Sequence, residues 1–154
     1  MMNESFGWFC AAEEFGGTPE IERVLSDSGS VDGEPSKQRI LVVDDERRVA
    51  DTLCVILGAS GFDARAAYNG WTALDTAARF QPDYLLSDVL MPRMNGVELA
   101  ITARNSIPLI KILLFSTQVG ISEILESGQK RGFTFQLIAK PIHPLKLIEQ
   151  LKML

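Results

Sequence analysis

Carboxylates, a hydroxyl and a lysine stand at the ends of apolar runs in this chain. "RILVV" runs into Asp44-Asp45, "DYLLSD" ends on Asp88, "LIKILLFST" on Ser116-Thr117, and "FTFQLIAK" on Lys140, with Pro141 next. Carboxylates brought close together repel, which raises the pKa of at least one of them unless a cation enters. A hard divalent ion with oxygen ligands suits such a group, and Mg²⁺ typically takes one or two carboxylates, a carbonyl and waters. A fixed lysine charge and a serine hydroxyl beside them are what a tetrahedral phosphoryl group requires: neutralisation, and hydrogen bonds to its oxygens. No glycine-rich phosphate loop follows the first run, where "DDERRVAD" stands instead, so the set fits a phosphoryl group attached to the protein better than a bound nucleotide. Asp88 is then the nucleophile, and the Met91-Pro92 and Asn95-Gly96 turns shape the loop behind it.

Such residues work only if the fold brings them together. Residues 39–43 are a short β-branched run suited to a strand buried on both faces, and Val49, Leu53, Ile56 and Leu57 mark the apolar stripe of a helix closed by "GASGF". The alternation recurs four times: "DARAAY" then "GWTALDTAARF", "DYLLSD" then "GVELAITARN", "LIKILLFST" then "ISEILESGQK", and "FTFQLIAK" then "PLKLIEQLKML". Five strand-helix units in a row call for an α/β fold, a parallel sheet with helices on both faces. Ligands of such sheets bind beyond the carboxyl ends of the strands, and all four polar groups stand there.

The remaining sequence bounds the reading. With 154 residues, 46% hydrophobic and 23% charged, one globular domain is the default. Residues 1–37 hold eight of the 20 acidic residues but only Arg23 and Lys37 of the 15 basic ones, which leaves a near-neutral body with no basic footprint for nucleic acid. Residues 26–38, "SDSGSVDGEPSKQ", read as a linker, and "GTPEIERVLSDS" upstream as a marginal short helix. Residues 1–37 are therefore expected to be an acidic, disordered extension, and 38–154 the domain. There is no apolar run of about 18 residues to span a membrane, and no basic start of a secretory signal. With only Cys10 and Cys54 there is no disulfide framework, so a cytoplasmic location is expected.

The chain from about Arg39 to Leu154 resembles a response-regulator receiver domain of two-component signalling. The family's acidic pair matches Asp44-Asp45, its phosphoacceptor motif matches "SDVLMPRMNG" at Asp88, its hydroxyl position matches Ser116 and its Lys-Pro matches Lys140-Pro141. The resemblance implies a flavodoxin-like, doubly wound sheet of order 2-1-3-4-5. It implies that Asp88 accepts a phosphoryl group from a sensor histidine kinase or a histidine phosphotransfer protein. Mg²⁺ would be held by Asp45, Asp88 and the Leu90 carbonyl, and by Asp44 through water; Lys140 and Ser116 would contact the phosphoryl oxygens. A chain ending 13 residues after Pro141 suits a stand-alone receiver, neither an enzyme nor a direct nucleic-acid binder, whose output is a contact with a downstream protein.

The sequence departs from the family at two places. Leu137 stands where receivers carry an aromatic residue whose inward turn follows the hydroxyl, so switching is expected to fall to the loop after Ser116 and the helix behind it. Leu90 stands where a polar residue is common, and with Thr117 it predicts an altered acyl-phosphate lifetime, slow hydrolysis being favoured. Two rival readings are a degenerate receiver serving as a protein-binding scaffold, and a small phosphohydrolase with an Asp nucleophile, for which Asp44-x-Glu46 is a poor match. His143 reads as a surface loop residue, Lys140-Pro141 as a cis-prone bond, and Cys54, Trp71 and Phe80 as packing. In the last helix Leu145, Leu147, Ile148, Leu151 and Leu154 cover more than one face, most of it core.

Overall fold

Alternation along the first strand sets the architecture. In β1 (Arg39–Val43) Ile40 and Val42 point to one side of the sheet and Leu41 and Val43 to the other, and all four are buried, so both faces need a helical cover. The computed structural model describes residues 35–117 and 120–154, and Lys37–Leu154 form one compact unit. After β1 come α1 (Arg47–Ala59), β2 (Asp63–Ala67), α2 (Gly70–Phe80), β3 (Tyr84–Asp88), α3 (Gly96–Ser106), β4 (Lys111–Ser116), α4 (Ser122–Lys130), β5 (Gln136–Ala139) and α5 (Pro144–Lys152). The sheet is parallel throughout, in the order β2-β1-β3-β4-β5. The doubly wound architecture expected from the sequence is therefore present.

Each face of the sheet carries its own apolar core. Ile40, Val42, Leu86, Leu113 and Phe115 pack with Ala50 and Leu57 of α1 and Leu147 and Leu151 of α5. Leu41, Val43, Leu85, Ile112 and Leu114 pack with Ala73 and Ala77 of α2 and with Val97, Ala100 and Ile101 of α3. Each fully buried leucine contributes about 1.5–3 kcal/mol.

Helix boundaries follow side-chain chemistry. Asn69 accepts a hydrogen bond from the Thr72 N–H at 2.8 Å, and Asn95 from the Glu98 N–H at 2.9 Å, caps worth about 1 kcal/mol each. His143 is exposed as expected, and its Nδ1 accepts from the Leu145 N–H at 3.2 Å at the start of α5. After α1 the chain reverses through Gly61 at φ +103°, a conformation that side chains beyond glycine rarely adopt.

Several expectations change. Trp71, read as packing, is 63% exposed at the first turn of α2, whereas Phe80 at the other end of that helix is buried. The apolar stripe of α2 runs through Ala73, Ala77 and Phe80, which turns position 71 to solvent. The fifth strand begins at Gln136 instead of Phe133: the Phe133 N–H closes α4 onto the Gly128 carbonyl at 3.0 Å, and Phe133 and Phe135 stack with centroids 6.1 Å apart. In α5, Leu147 and Leu151 are core, while Leu145 is 71% exposed. Cys54, by contrast, packs half-buried against the core as expected and is free. The extension over 1–37, apart from exposed residues 35–37, and the helix expected in "GTPEIERVLSDS" lie outside the described residues.

Candidate functional site

Parallel register aligns the carboxyl ends of the strands. Val43 lies opposite both Ala67 and Ser87, Asp88 opposite Phe115, and Ser116 opposite Ala139. Pairing continues past the strands through Asp44 N–H to Ala67 O at 3.2 Å, Val89 N–H to Phe115 O at 3.1 Å and Lys140 N–H to Ser116 O at 3.0 Å. The residue after β1, the last of β3 and β4, and the residue after β5 thus share one rim.

Asp44 is buried, Asp45 is exposed, and Asp88 is 8% exposed. One carboxylate oxygen from each lies within 4.8 Å of the other two. The Lys140 Nζ reaches Asp44 Oδ2 at 2.8 Å and stands 3.6 Å from Asp88 Oδ1, with the face of Phe115 4.3 Å beneath it. Burial pushes the Asp88 carboxyl up to about 6; Lys140 and a hydrogen bond from the Leu90 backbone oppose the rise, while Asp44 and Asp45 add to it. A carboxyl held above its ordinary range beside two more carboxylates marks a place short of positive charge. All-oxygen donors in that setting fit a hard divalent cation.

The loop behind Asp88 is held by contacts of its own. Gly96 gives its N–H to Val89 O at 2.8 Å, and a Cβ at this position would run into the Asp88 carbonyl oxygen; the missing side chain at Gly96 therefore lets α3 start against the end of β3. Ser87 Oγ donates to the Asp88 carbonyl at 2.9 Å. The Lys140-Pro141 peptide is cis.

The structure thus brings Asp44, Asp45, Asp88 and Lys140 together and seats Ser116, 5% exposed, in backbone contact with Lys140. Leu90 bonds Asp88 through its backbone while its side chain is 38% exposed. Leu137, in register with Leu114, is also 38% exposed. The sequence reading passed over Phe115 and Ser87, whose partners become visible only with the register. Gly96 was read as a turn residue, without its steric role.

A family model described as the response regulator receiver domain matches residues 40–152. The chain belongs to the response-regulator receiver family. Among its curated relatives, the DNA-binding response regulator MtrA of Mycobacterium tuberculosis is 31% identical over 118 residues, 75% of this chain and 50% of MtrA. Response regulator MprA of Mycobacterium avium is 39% identical over 85 residues, 55% of this chain and 37% of MprA. The chain spans about half the length of the curated relatives it matches, or less. Among solved structures, the chemotaxis protein CheY4 of Vibrio cholerae matches with a TM-score of 0.69 at 25% identity, covering 77% of this chain and 98% of CheY4. A CheY-like receiver domain protein of Methanospirillum hungatei matches with the same score and identity, covering 77% of this chain and 93% of the other. The receiver's acidic cluster, lysine and buried serine occupy the rim where open α/β sheets bind ligands.

Proposed function

We propose that this receiver accepts a phosphoryl group on Asp88 from a histidine kinase or a histidine phosphotransfer protein and passes the signal to a downstream protein by a change in shape. The observation that carries this reading is a nucleophile-competent carboxylate, 8% exposed, with two more carboxylates within 4.8 Å and a lysine at 3.6 Å. An Asp88 oxygen attacks phosphorus as the bond to the donor imidazole nitrogen breaks. That nitrogen keeps the bonding pair, and the product is an acyl phosphate. In this reading Lys140 neutralises the phosphoryl oxygens and Ser116 donates to one of them. Asp45, Asp88 and the Leu90 carbonyl would hold Mg²⁺, with Asp44 acting through water, and the bound ion supplies the positive charge that offsets carboxylate and phosphoryl repulsion.

The protein is in this reading a cytoplasmic phosphoacceptor with self-dephosphorylation, not an enzyme with a released metabolite as its product. Its partners are a phosphodonor protein and a protein target, and the receiver itself makes no direct contact with nucleic acid or membrane. Among the described residues no helix is long and apolar enough to cross a membrane. The exposed Leu137 favours one alternative, a receiver that binds partners without being phosphorylated.

Intact mass after incubation with acetyl phosphate and Mg²⁺ tests the proposal. The wild type gains one phosphoryl group, and both a chelator and Asp88→Asn prevent the gain. No gain in the wild type would leave the scaffold reading standing.

A further inference from the structure

Beside the acidic cluster the rim carries a second constellation. The Asp44 N–H bonds the Ala67 carbonyl, so Tyr68, the next residue of the chain, emerges next to the acidic pair. The guanidinium of Arg47, the first residue of α1, lies 4.0 Å from the centre of the Tyr68 ring. The Tyr68 hydroxyl donates to Asp51 Oδ1 at 2.6 Å, and Asp51 sits one helical turn beyond Arg47. Burial and the bond to Asp51 push the phenol up to about 12.

A guanidinium resting on a ring keeps edge donors for an anion and loses little freedom on binding one. Among the described residues no carboxylate forms an ion pair with Arg47, and its side chain is exposed. The stack is therefore preorganised, and no described carboxylate pairs with its charge. The incoming group is itself anionic and must approach three carboxylates and one lysine, so a further cation at the entrance lowers the electrostatic cost of encounter.

We propose that Arg47, positioned by Tyr68 and Asp51, is the donor-recognition residue of the receiver: it engages the phosphoryl oxygens of an arriving acyl phosphate or phosphohistidine from the β1–β2 side of the rim. This inference rests on the phosphoacceptor reading. Its chemistry is bidentate recognition of a phosphoryl oxyanion.

The test is the dependence of the phosphorylation rate on acetyl phosphate concentration, with saturating Mg²⁺, in the full-length protein. Arg47→Gln is expected to raise the half-saturating concentration about tenfold while the saturating rate stays within about twofold of wild type. Arg47→Lys recovers only part of the loss, and Tyr68→Leu, which frees the guanidinium, shifts the curve in the same direction as Arg47→Gln with a smaller amplitude. Equal half-saturation in wild type and Arg47→Gln, or a change confined to the saturating rate, overturns the assignment. If the wild type acquires no phosphoryl group, the phosphoacceptor reading falls and this inference with it.

Discussion

Asp88 is a carboxyl placed where ionisation is costly. Burial comes first among the causes that push it from an ordinary 3.8 up to about 6. Between those values the native state keeps a proton that the unfolded chain has released. The stability this group contributes is therefore fully present below about pH 4 and lost as the pH rises to about 6. Asp88→Asn, which cannot ionise, is expected to raise the melting temperature at pH 7.5 in chelator by a few degrees, corresponding to about 1–2 kcal/mol, and to give no gain near pH 4; thermal melts at the two pH values check this. Leu90 is expected to govern a different property of the proposed phosphoacceptor site. Its half-exposed apolar side chain offers no group to hold a hydrolytic water, so Leu90→Asn is expected to shorten the acyl-phosphate lifetime several-fold, followed by intact mass after removal of the donor. Equal decay rates would remove the apolar shield from the account.

A phosphoryl group on Asp88, as proposed, would act through the element that moves at least cost. α4 meets α3 closely where a Cβ on Gly128 would stand 2.9 Å from Val97 Cγ1, and most of its outer residues are exposed. β5 is an edge strand in which only Ile138 is even half-buried. Leu137 has no polar tip to favour a solvent-facing state over a buried one, so an aromatic-type swing at that position has no physical drive. α4, most of whose side chains are exposed, is left as the element free to shift at low cost. Phosphorylation is therefore expected to displace amide resonances across residues 120–132 more than those around Leu137. Unchanged shifts over 120–132 would rule out this route.

For the whole molecule, the sheet acts as a rigid frame that forces like charges together at one rim. Any cation that binds only the folded arrangement stabilises the fold by mass action. Mg²⁺ at one hundred times its dissociation constant is expected to add about 2.7 kcal/mol of stability, read as a rise in the urea midpoint. The effect should disappear in a variant with Asp45→Asn and Asp88→Asn together. A midpoint indifferent to Mg²⁺ in the wild type would argue against a cation at these carboxylates.

By itself the sequence determined the five strand-helix units and the chemical types standing at the strand ends. Period-two and helical apolar patterns are local properties, and Asp44-Asp45, Asp88 with the Met91-Pro92 turn behind it, and Lys140-Pro141 are read without any partner. α2 was legible to both ends because the helical pattern of "GWTALDTAARF" spans it and Gln81-Pro82 stops it, and the structure adds the Asn69 cap. The first residue of β5 was not, because Phe133 and Phe135 have strand-like propensity but are claimed by a stack and by the close of α4. Trp71 was misjudged for a related reason: a large aromatic reads as core until the helix is rotated against its neighbours, and only the alanine stripe of α2 decided which way it faced. Tertiary structure alone decided that Lys140 pairs with Asp44 across a separation of 96 residues, that Phe115 lies beneath it, and that Tyr68 and Arg47 meet beside the same rim. Those contacts depend on strand register and crossover, which bring together residues far apart in the chain and leave no trace in local pattern.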